Sequence, residues 1–453
     1  MKKIHMVGVG GAGMCPLAEV LHVSGHTVTG SDKACSAETK RLASLGIKIQ
    51  YDHSPQLVKE AELLVYSSAV RDDNLERVYA VNKGIPVMRR AEVLGDIMKK
   101  YFSVCIAGTH GKTTTTSLAG SIFSDADASP TVLVGGMLRN TGAHAIVGKS
   151  RLLIAEADEY DRSFLAMNPS MAVITNIEAD HLDCYKDFED IKDTFIRFTE
   201  KVPFYGAVVA CVDDPVVRGI IPQISRTVIT YGTDKSAFYR AENIQYKDAA
   251  STFNLFINNV FTESITINIP GAHNLRNSLA SIAVAVEMGI GIEKIKKTLA
   301  GFQGVKRRYD ILNTGSSSVT VIDDYAHHPG EIKATLNAAA HGNYNRIIAV
   351  FQPHLYSRTR DFARGFASSL CLADQVVITD IFKAREKPLD GISSQLIIDH
   401  IDSLGHKKAH YVEKTAIITK LNACVGAGDA VVFMGAGDIW QIAAQFAEEL
   451  KRG

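Results

Sequence analysis

Residues 104–117 read Val-Cys-Ile-Ala-Gly-Thr-His-Gly-Lys-Thr-Thr-Thr-Thr-Ser, and the fold turns on how they are understood. The apolar run 104–107 predicts a short buried strand, and the pattern over 113–123 predicts a helix. Between them stands Gly108-Thr109-His110-Gly111-Lys112-Thr113. Glycines let the backbone curl so that amide N–H groups face a phosphate, and a helix N-terminus adds positive potential. A lysine here reaches the outer phosphates, and the following hydroxyl can ligate Mg2+. The full pattern would begin with glycine at 106, where this chain has Ile106. The loop is therefore a shortened variant starting at Gly108, with Gly108, Thr109, His110, Gly111, Lys112, Thr113 and Thr114 as candidate ligands of a nucleoside triphosphate. The plainer alternative is a glycine turn ahead of a helix.

Working outward, phosphate chemistry needs a metal held opposite such a loop. Glu156-Ala157-Asp158-Glu159 follows the apolar run 152–155, and Asn176-Ile177-Glu178-Ala179-Asp180-His181 follows the run 172–175. Ligands of open α/β sheets gather at strand C-terminal ends. Glu156, first off its strand, is the favoured metal ligand, and His181 is a second candidate. A solvated loop end, or a hydrogen-bonded structural histidine, is the alternative for each.

Toward the N-terminus, Gly8-Val9-Gly10-Gly11-Ala12-Gly13 follows an apolar run at 4–9, and Asp32 stands 19 residues beyond Gly13. Taken alone this is a dinucleotide fingerprint. Its physics is only a diphosphate resting on a helix N-terminus, so NAD and a nucleotide-diphosphate sugar fit equally well. The β-α-β order continues with short strands at 63–67 and 86–88. A change to alternating β-rich sequence at 253–269 predicts antiparallel strands, before helices at 274–288 and 292–299. Strands at 319–322, 346–351, 375–379 and 430–434 predict a further parallel sheet. The expected class is α/β in three domains: 1–100 Rossmann-like, 101–310 a central phosphate-loop ATPase, and 311–453 Rossmann-like again.

Composition bounds these readings. At 453 residues the chain is too long for one core. Lys and Arg total 49, as do Asp and Glu, so no basic excess points to nucleic acid or a membrane surface. Seven cysteines without a CxxC pair read as reduced thiols, not a disulfide frame or zinc site. The lysine-led start loses its apolar run at Gly8, so no signal-peptide core forms, and no apolar run is long enough to span a bilayer. A cytoplasmic protein is expected.

Other polar groups carry two readings each. Asn274, opening a helix after Pro270-Gly271, could read adenine or cap the helix. Lys306-Arg307-Arg308 could supply an arginine to a transferring phosphoryl group or be a solvated run at a hinge. Asp323-Asp324-Tyr325-Ala326-His327-His328 follows a strand. Its spacing suits no tetrahedral metal site well, and contacts to ribose hydroxyls or substrate fit it better. His354 and Arg358, after another strand, could hold a carboxylate, which arginine matches bidentately.

Together these segments resemble the Mur ligase family over essentially the whole chain. The marks are GVGGAGM at 8–14, GTHGKTTTT at 108–116, EADE at 156–159, TNIEADH at 175–181, HNLRN at 273–277, GVKRRYD at 304–310, DDYAHHP at 323–329 and FQPHLYSRT at 351–359. The resemblance implies ATP and Mg2+ as cofactors and UDP-N-acetylmuramate and L-alanine as substrates. It implies an acyl-phosphate route of peptidoglycan precursor synthesis, in a monomer or weak homodimer. A murein tripeptide in place of alanine is the alternative, and an NAD-dependent oxidoreductase is the alternative of another class. By family pattern Gly10, Gly11, Ala12, Gly13, Asp32 and Ser67 take the UDP-sugar, Lys112 the ATP phosphates, and Thr113, Glu156 and His181 the metal. The same pattern puts Asn274 near adenine, Arg308 at the γ-phosphate and Asp324 at the ribose. Lys112, Arg308 and His181 are then the catalytic set, and Tyr325, His354 and Arg358 line the amino-acid site. Many relatives carry arginine where this chain has Leu355, which leaves Arg358 with more of the carboxylate recognition.

Overall fold

The computed structural model describes residues 1–136, 145–180, 184–247, 250–384, 386–405 and 408–452. The chain forms three sheets, each with its own helices, which is the three-domain α/β organisation expected from the sequence.

The first sheet contains β1 (Lys3–Val7), β2 (Thr27–Ser31), β3 (Lys48–Gln50), β4 (Leu63–Tyr66) and β5 (Val87–Arg89), in the order β3-β2-β1-β4-β5. All four pairings are parallel. Helices α1 (Met14–Val23), α2 (Ala37–Ser44), α3 (Leu75–Asn82) and α4 (Arg90–Met98) connect the strands. Chain order reverses beside β1, so a crevice opens past the C-terminal ends of β1 and β4. Beneath it lies a buried polar network. The Glu76 carboxylate, fully buried on α3, accepts from Ser31 Oγ at 2.6 Å and Gln50 Nε2 at 2.9 Å. It also meets His53 Nδ1 at 2.8 Å and His5 Nε2 at 2.9 Å.

The second sheet has ten strands: β6 (Phe102–Ala107), β7 (Thr131–Leu133), β8 (Ala145–Ile146), β9 (Leu152–Ala157), β10 (Met171–Ile174), β11 (Ala207–Cys211), β12 (Val228–Gly232), β13 (Tyr239–Lys247), β14 (Ala250–Ile257) and β15 (Val260–Ile267). Their order is β15-β14-β13-β12-β11-β10-β6-β9-β7-β8. The expected alternating stretch at 253–269 thus belongs to an edge of three strands that begins earlier, at Tyr239. Its helices are α5 (Lys112–Asp125), α6 (Phe188–Thr199), α7 (Pro215–Ile220), α8 (Ala272–Glu287) and α9 (Ile292–Gly301). The central strands are apolar on both faces because helices cover both, and Phe164, Phe195 and Phe198 fill one side with fully buried rings.

The third sheet holds β16 (Asp310–Leu312), β17 (Thr320–Asp324), β18 (Ile347–Phe351), β19 (Gln375–Ile378), β20 (Ala409–Tyr411) and β21 (Ala430–Met434), ordered β16-β17-β21-β18-β19-β20. Only β16 runs antiparallel. Helices α10 (Pro329–Ala340), α11 (Tyr356–Leu370), α12 (Gln395–Ser403), α13 (Ile417–Cys424) and α14 (Ile439–Arg452) cover it. By compactness the chain divides into two units. One holds residues 1–242, 254–265 and 276–302, the other 243–253, 266–275 and 303–453. Among the described residues no helix is long and apolar enough to cross a membrane, and all seven cysteines are free thiols.

Candidate functional site

In the first unit, β6 pairs in register with β9 and β10, with Ala107 opposite Ala157 and Ile174. The three strands therefore deliver 108–111, 157–159 and 175–178 to one sheet edge. Gly108 has φ +139° and Gly111, at the N-terminus of α5, has φ +84°. Both lie where an L side chain is strained, and a methyl on Gly108 would stand 2.0 Å from Thr175 Oγ1. The loop is held from β10. Thr175 Oγ and Asn176 Nδ2 donate to the His110 carbonyl at 2.6 and 2.9 Å, and His110 N–H donates to Asn176 Oδ1 at 2.9 Å. The Glu178 N–H donates to Thr109 Oγ1 at 2.8 Å, and His110 Nε2 lies 3.3 Å from Glu178 Oε2. Thr113 and Thr114 are buried in the first turn of α5.

Lys112 curls back over its own loop. Its Nζ donates to the Gly108 carbonyl at 2.6 Å, the Thr109 carbonyl at 3.2 Å and Glu159 Oε2 at 2.7 Å. Burial disfavours the lysine charge, but the carboxylates of Glu159, Asp158 and Glu156 outweigh it and keep the ammonium protonated. Burial pushes the Glu159 carboxyl up to about 7, against the pull of Lys112 and with a further push from Asp158. Glu159 is the residue that sequence reasoning passed over in favour of Glu156, its neighbour in the same acidic cluster. Glu156 is not the first residue beyond its strand, as expected, but the penultimate residue of β9, paired opposite Ile106. It is half-buried and accepts the Gly135 N–H at 2.6 Å. A hydroxyl and a carboxylate are the hard oxygen donors that Mg2+ prefers, so Thr113 and Glu156 fit that ion. His181 lies outside the described residues.

At the first sheet, Gly8 has φ +76° and faces Ser67, whose Oγ would lie 3.8 Å from a methyl at Gly8. Asp32 accepts the Gly10 N–H at 2.8 Å and the Ala34 N–H at 3.0 Å, and Gly11 N–H bonds the Gly8 carbonyl. The structure therefore gathers Gly10, Gly11, Ala12, Gly13, Asp32 and Ser67 at one crevice. Two cradle amides, Gly10 and Gly11, are already used internally.

In the second unit, Asn274 Nδ2 donates to the Pro270 carbonyl at 2.7 Å, closing the turn that opens α8. Asp324 is buried and serves the chain itself. Its carboxylate accepts the N–H of Ala326 and of Tyr309 and the Thr335 hydroxyl, at 2.8, 2.9 and 3.1 Å. Burial raises its pKa against the pull of Arg308. Burial likewise raises Asp323 to about 7, with Arg307 drawing it down from 3.6 Å. The Arg308 guanidinium lies 5.2 Å over the Tyr325 ring and 3.4 Å from Glu331. Tyr325 packs edge-on to His327, His327 edge-on to His354, and His354 stacks on Phe382. Tyr325 and His354 are thus brought together through His327, a residue the sequence placed only within a run suited to contacts with ribose hydroxyls or substrate. Leu355 takes φ +69°, and Arg358 follows in the first turn of α11. That turn is capped by Glu386, which accepts the N–H of Tyr356 and Ser357 at 2.7 and 3.1 Å.

Comparison with known proteins covers the chain end to end. The model described as "Mur ligase family, catalytic domain" matches residues 3–102, "Mur ligase middle domain" 106–285, and "Mur ligase, glutamate ligase domain" 307–437. A UDP-N-acetylmuramate–L-alanine ligase of Salinibacter ruber is 44% identical over 455 residues, spanning 100% of this chain and 95% of that protein. The crystal structure of a UDP-N-acetylmuramate–alanine ligase from Thermotoga maritima matches with a TM-score of 0.85 at 30% identity, over 100% of both chains. A murein peptide ligase from Psychrobacter arcticus shares the fold, with a TM-score of 0.74 at 24% identity over 100% of this chain and 99% of that one.

Proposed function

This chain belongs to the Mur ligase family, and on that premise we propose that it joins L-alanine to the lactyl carboxylate of UDP-N-acetylmuramate using ATP, in peptidoglycan precursor synthesis. The observation that carries this is full-length kinship to ligases of that name in a chain that keeps a lysine-bearing glycine cradle at 108–113. The reaction proceeds by transfer of the terminal phosphoryl group of ATP to the carboxylate. The amine of alanine then attacks the acyl phosphate, and phosphate leaves from the tetrahedral intermediate.

The residues divide the work. Backbone N–H groups of the 108–111 loop and the α5 N-terminus cradle the phosphates. Lys112 leaves Glu159 for the outer phosphates, where its charge offsets what develops on the transferring group. Thr113 and Glu156 would hold Mg2+, which supplies further charge neutralisation when bound. The first-sheet crevice holds the sugar nucleotide. Tyr325, His354 and Arg358 orient the amino acid, with Arg358 on its carboxylate. We place the reaction in the cytoplasm.

Phosphate release from ATP and Mg2+ tests the reading. Turnover should require UDP-N-acetylmuramate and an amino acid together, and L-alanine should be a far better acceptor than a murein tripeptide. Preference for the tripeptide would move the chain to the recycling ligases. Lys112→Ala should form no product while still binding UDP-N-acetylmuramate, which reports that the variant keeps its fold although Glu159 loses its partner.

A further inference from the structure

In the third sheet, the segment leaving β18 carries two of the residues given to the amino acid, His354 and Arg358, with Leu355 between them. Leu355 holds φ +69° as the N-cap of α11. A branched apolar residue does not stay in that region unless its surroundings hold it there. The chain just beyond β19 is what holds it. Phe382 N–H donates to the Pro353 carbonyl at 2.8 Å, and Leu355 N–H donates to the Phe382 carbonyl at 3.0 Å. These two bonds flank His354 and pair it with Phe382 in a one-residue parallel bridge. The Phe382 ring stacks on the imidazole, with centroids 5.8 Å apart and planes 14° from parallel. A methyl group on Gly437 would stand 2.6 Å from Phe382 Cγ and 2.8 Å from Cδ2, so glycine at 437 leaves the space that the ring fills.

Four residues further on, the same stretch reaches the other side of Leu355. The first amides of a helix have no acceptor within it, and Leu355 has no polar side chain to cap them. A distant carboxylate does so instead. Glu386 Oε2 accepts the N–H of Tyr356 at 2.7 Å and of Ser357 at 3.1 Å, while Oε1 accepts the Ser357 hydroxyl. Glu386 is half-buried, and the bond from its own N–H to the Lys383 carbonyl at 2.8 Å closes the turn that brings it back to the helix. Its charge also suits the positive end of the helix dipole. Left uncapped, that end of α11 would itself attract a carboxylate, in competition with Arg358 one residue further along.

We propose that Glu386 is a positioning residue for the acceptor amino acid: by capping α11 from the stretch that also fixes His354 through Phe382, it sets the turn that carries Arg358 and keeps the helix N-terminus closed to the substrate carboxylate. This rests on the proposed function, and in particular on Arg358 and His354 lining the amino-acid site. It also accounts for the strained Leu355. A local cap such as Asp or Ser at 355 would satisfy the helix alone, whereas a cap supplied from residue 386 ties the helix to the stretch against which His354 is packed.

Steady-state phosphate release by the full chain, with L-alanine, ATP and UDP-N-acetylmuramate varied in turn, tests it. Glu386→Ala should raise the KM for L-alanine by about five- to thirtyfold, the range set by loss of a helix cap. The KM values for ATP and for the sugar nucleotide should be unchanged, which also reports that the variant folds. Glu386→Gln keeps an oxygen that can accept both amides and should recover most of the affinity for alanine. Glu386→Asp, whose carboxylate is withdrawn by one methylene, should behave like Glu386→Ala and carries the test if the alanine variant does not fold. A wild-type KM for alanine in Glu386→Ala, or in Glu386→Asp if only that variant folds, would overturn the proposal. So would an equal rise in the KM for ATP, which marks general loosening of the fold, or a glutamine variant as impaired as the alanine one. Failure of wild type to use L-alanine with UDP-N-acetylmuramate would instead overturn the proposed function.

Discussion

At the scale of single residues, the pairing of Lys112 with Glu159 sets a pH dependence. The Glu159 carboxyl, lifted to about 7 by burial, is neutral below that pH and charged above it. Its negative form holds Lys112 at 2.7 Å and competes with phosphate for the ammonium. Nucleotide affinity should therefore fall as pH rises through 7 in wild type. Glu159→Gln keeps the shape without the charge and should give a flatter profile with tighter binding at pH 8. Titration of ATP at pH 6 and pH 8 against both proteins checks this, and parallel profiles would mean that Glu159 does not compete. Leu355 is the other residue under tension. Its φ of +69° is costly for a branched apolar side chain, and it sits between His354 and the helix that carries Arg358.

At the scale of elements, Glu76 fastens α3 to three strands at once through His5 on β1, Ser31 on β2 and Gln50 on β3. Burial alone would raise its pKa, but its bonds to His5, Ser31 and His53 outweigh that and lower it. A carboxyl lowered on folding stabilises the chain above its ordinary pKa, and that stabilisation is lost as pH falls through the folded value. Glu76→Ala should cost about 3–5 kcal/mol at neutral pH, the usual penalty for removing one partner from a buried charged network. Glu76→Gln should cost less, and its acid unfolding should lack the component seen in wild type below pH ~4.5. Chemical denaturation from pH 3 to 7 separates the two effects. Curves for wild type and Glu76→Gln that run parallel throughout would show that the carboxyl is not ionised in the fold.

At the scale of the molecule, binding should appear as stability. Sugar nucleotide at a hundred times its Kd should add about 2.7 kcal/mol to the unfolding free energy. ATP should do the same for wild type, while Lys112→Ala keeps the first increment and loses the second. Much of this organisation was legible in the sequence, because periodicity and glycine chemistry are local. The helix expected at 113–123 runs Lys112–Asp125, and the strand expected at 207–211 is Ala207–Cys211. What was not legible depends on partners far apart in the chain. Glu159 meets Lys112 across 47 residues, and Glu386 meets Tyr356 across 30. Asp324 shows a milder form of the same limit, since its carboxylate accepts from Tyr309 and Thr335, 15 and 11 residues away. The grip of Thr175 and Asn176 on His110 spans 65 and 66 residues, and this has a consequence for biosynthesis. A nascent chain that has already released the loop and α5 from the ribosome still lacks β10, the strand that gives the loop its shape. A translation product that stops short of β10 would carry the motif intact and yet be unable to hold the nucleotide.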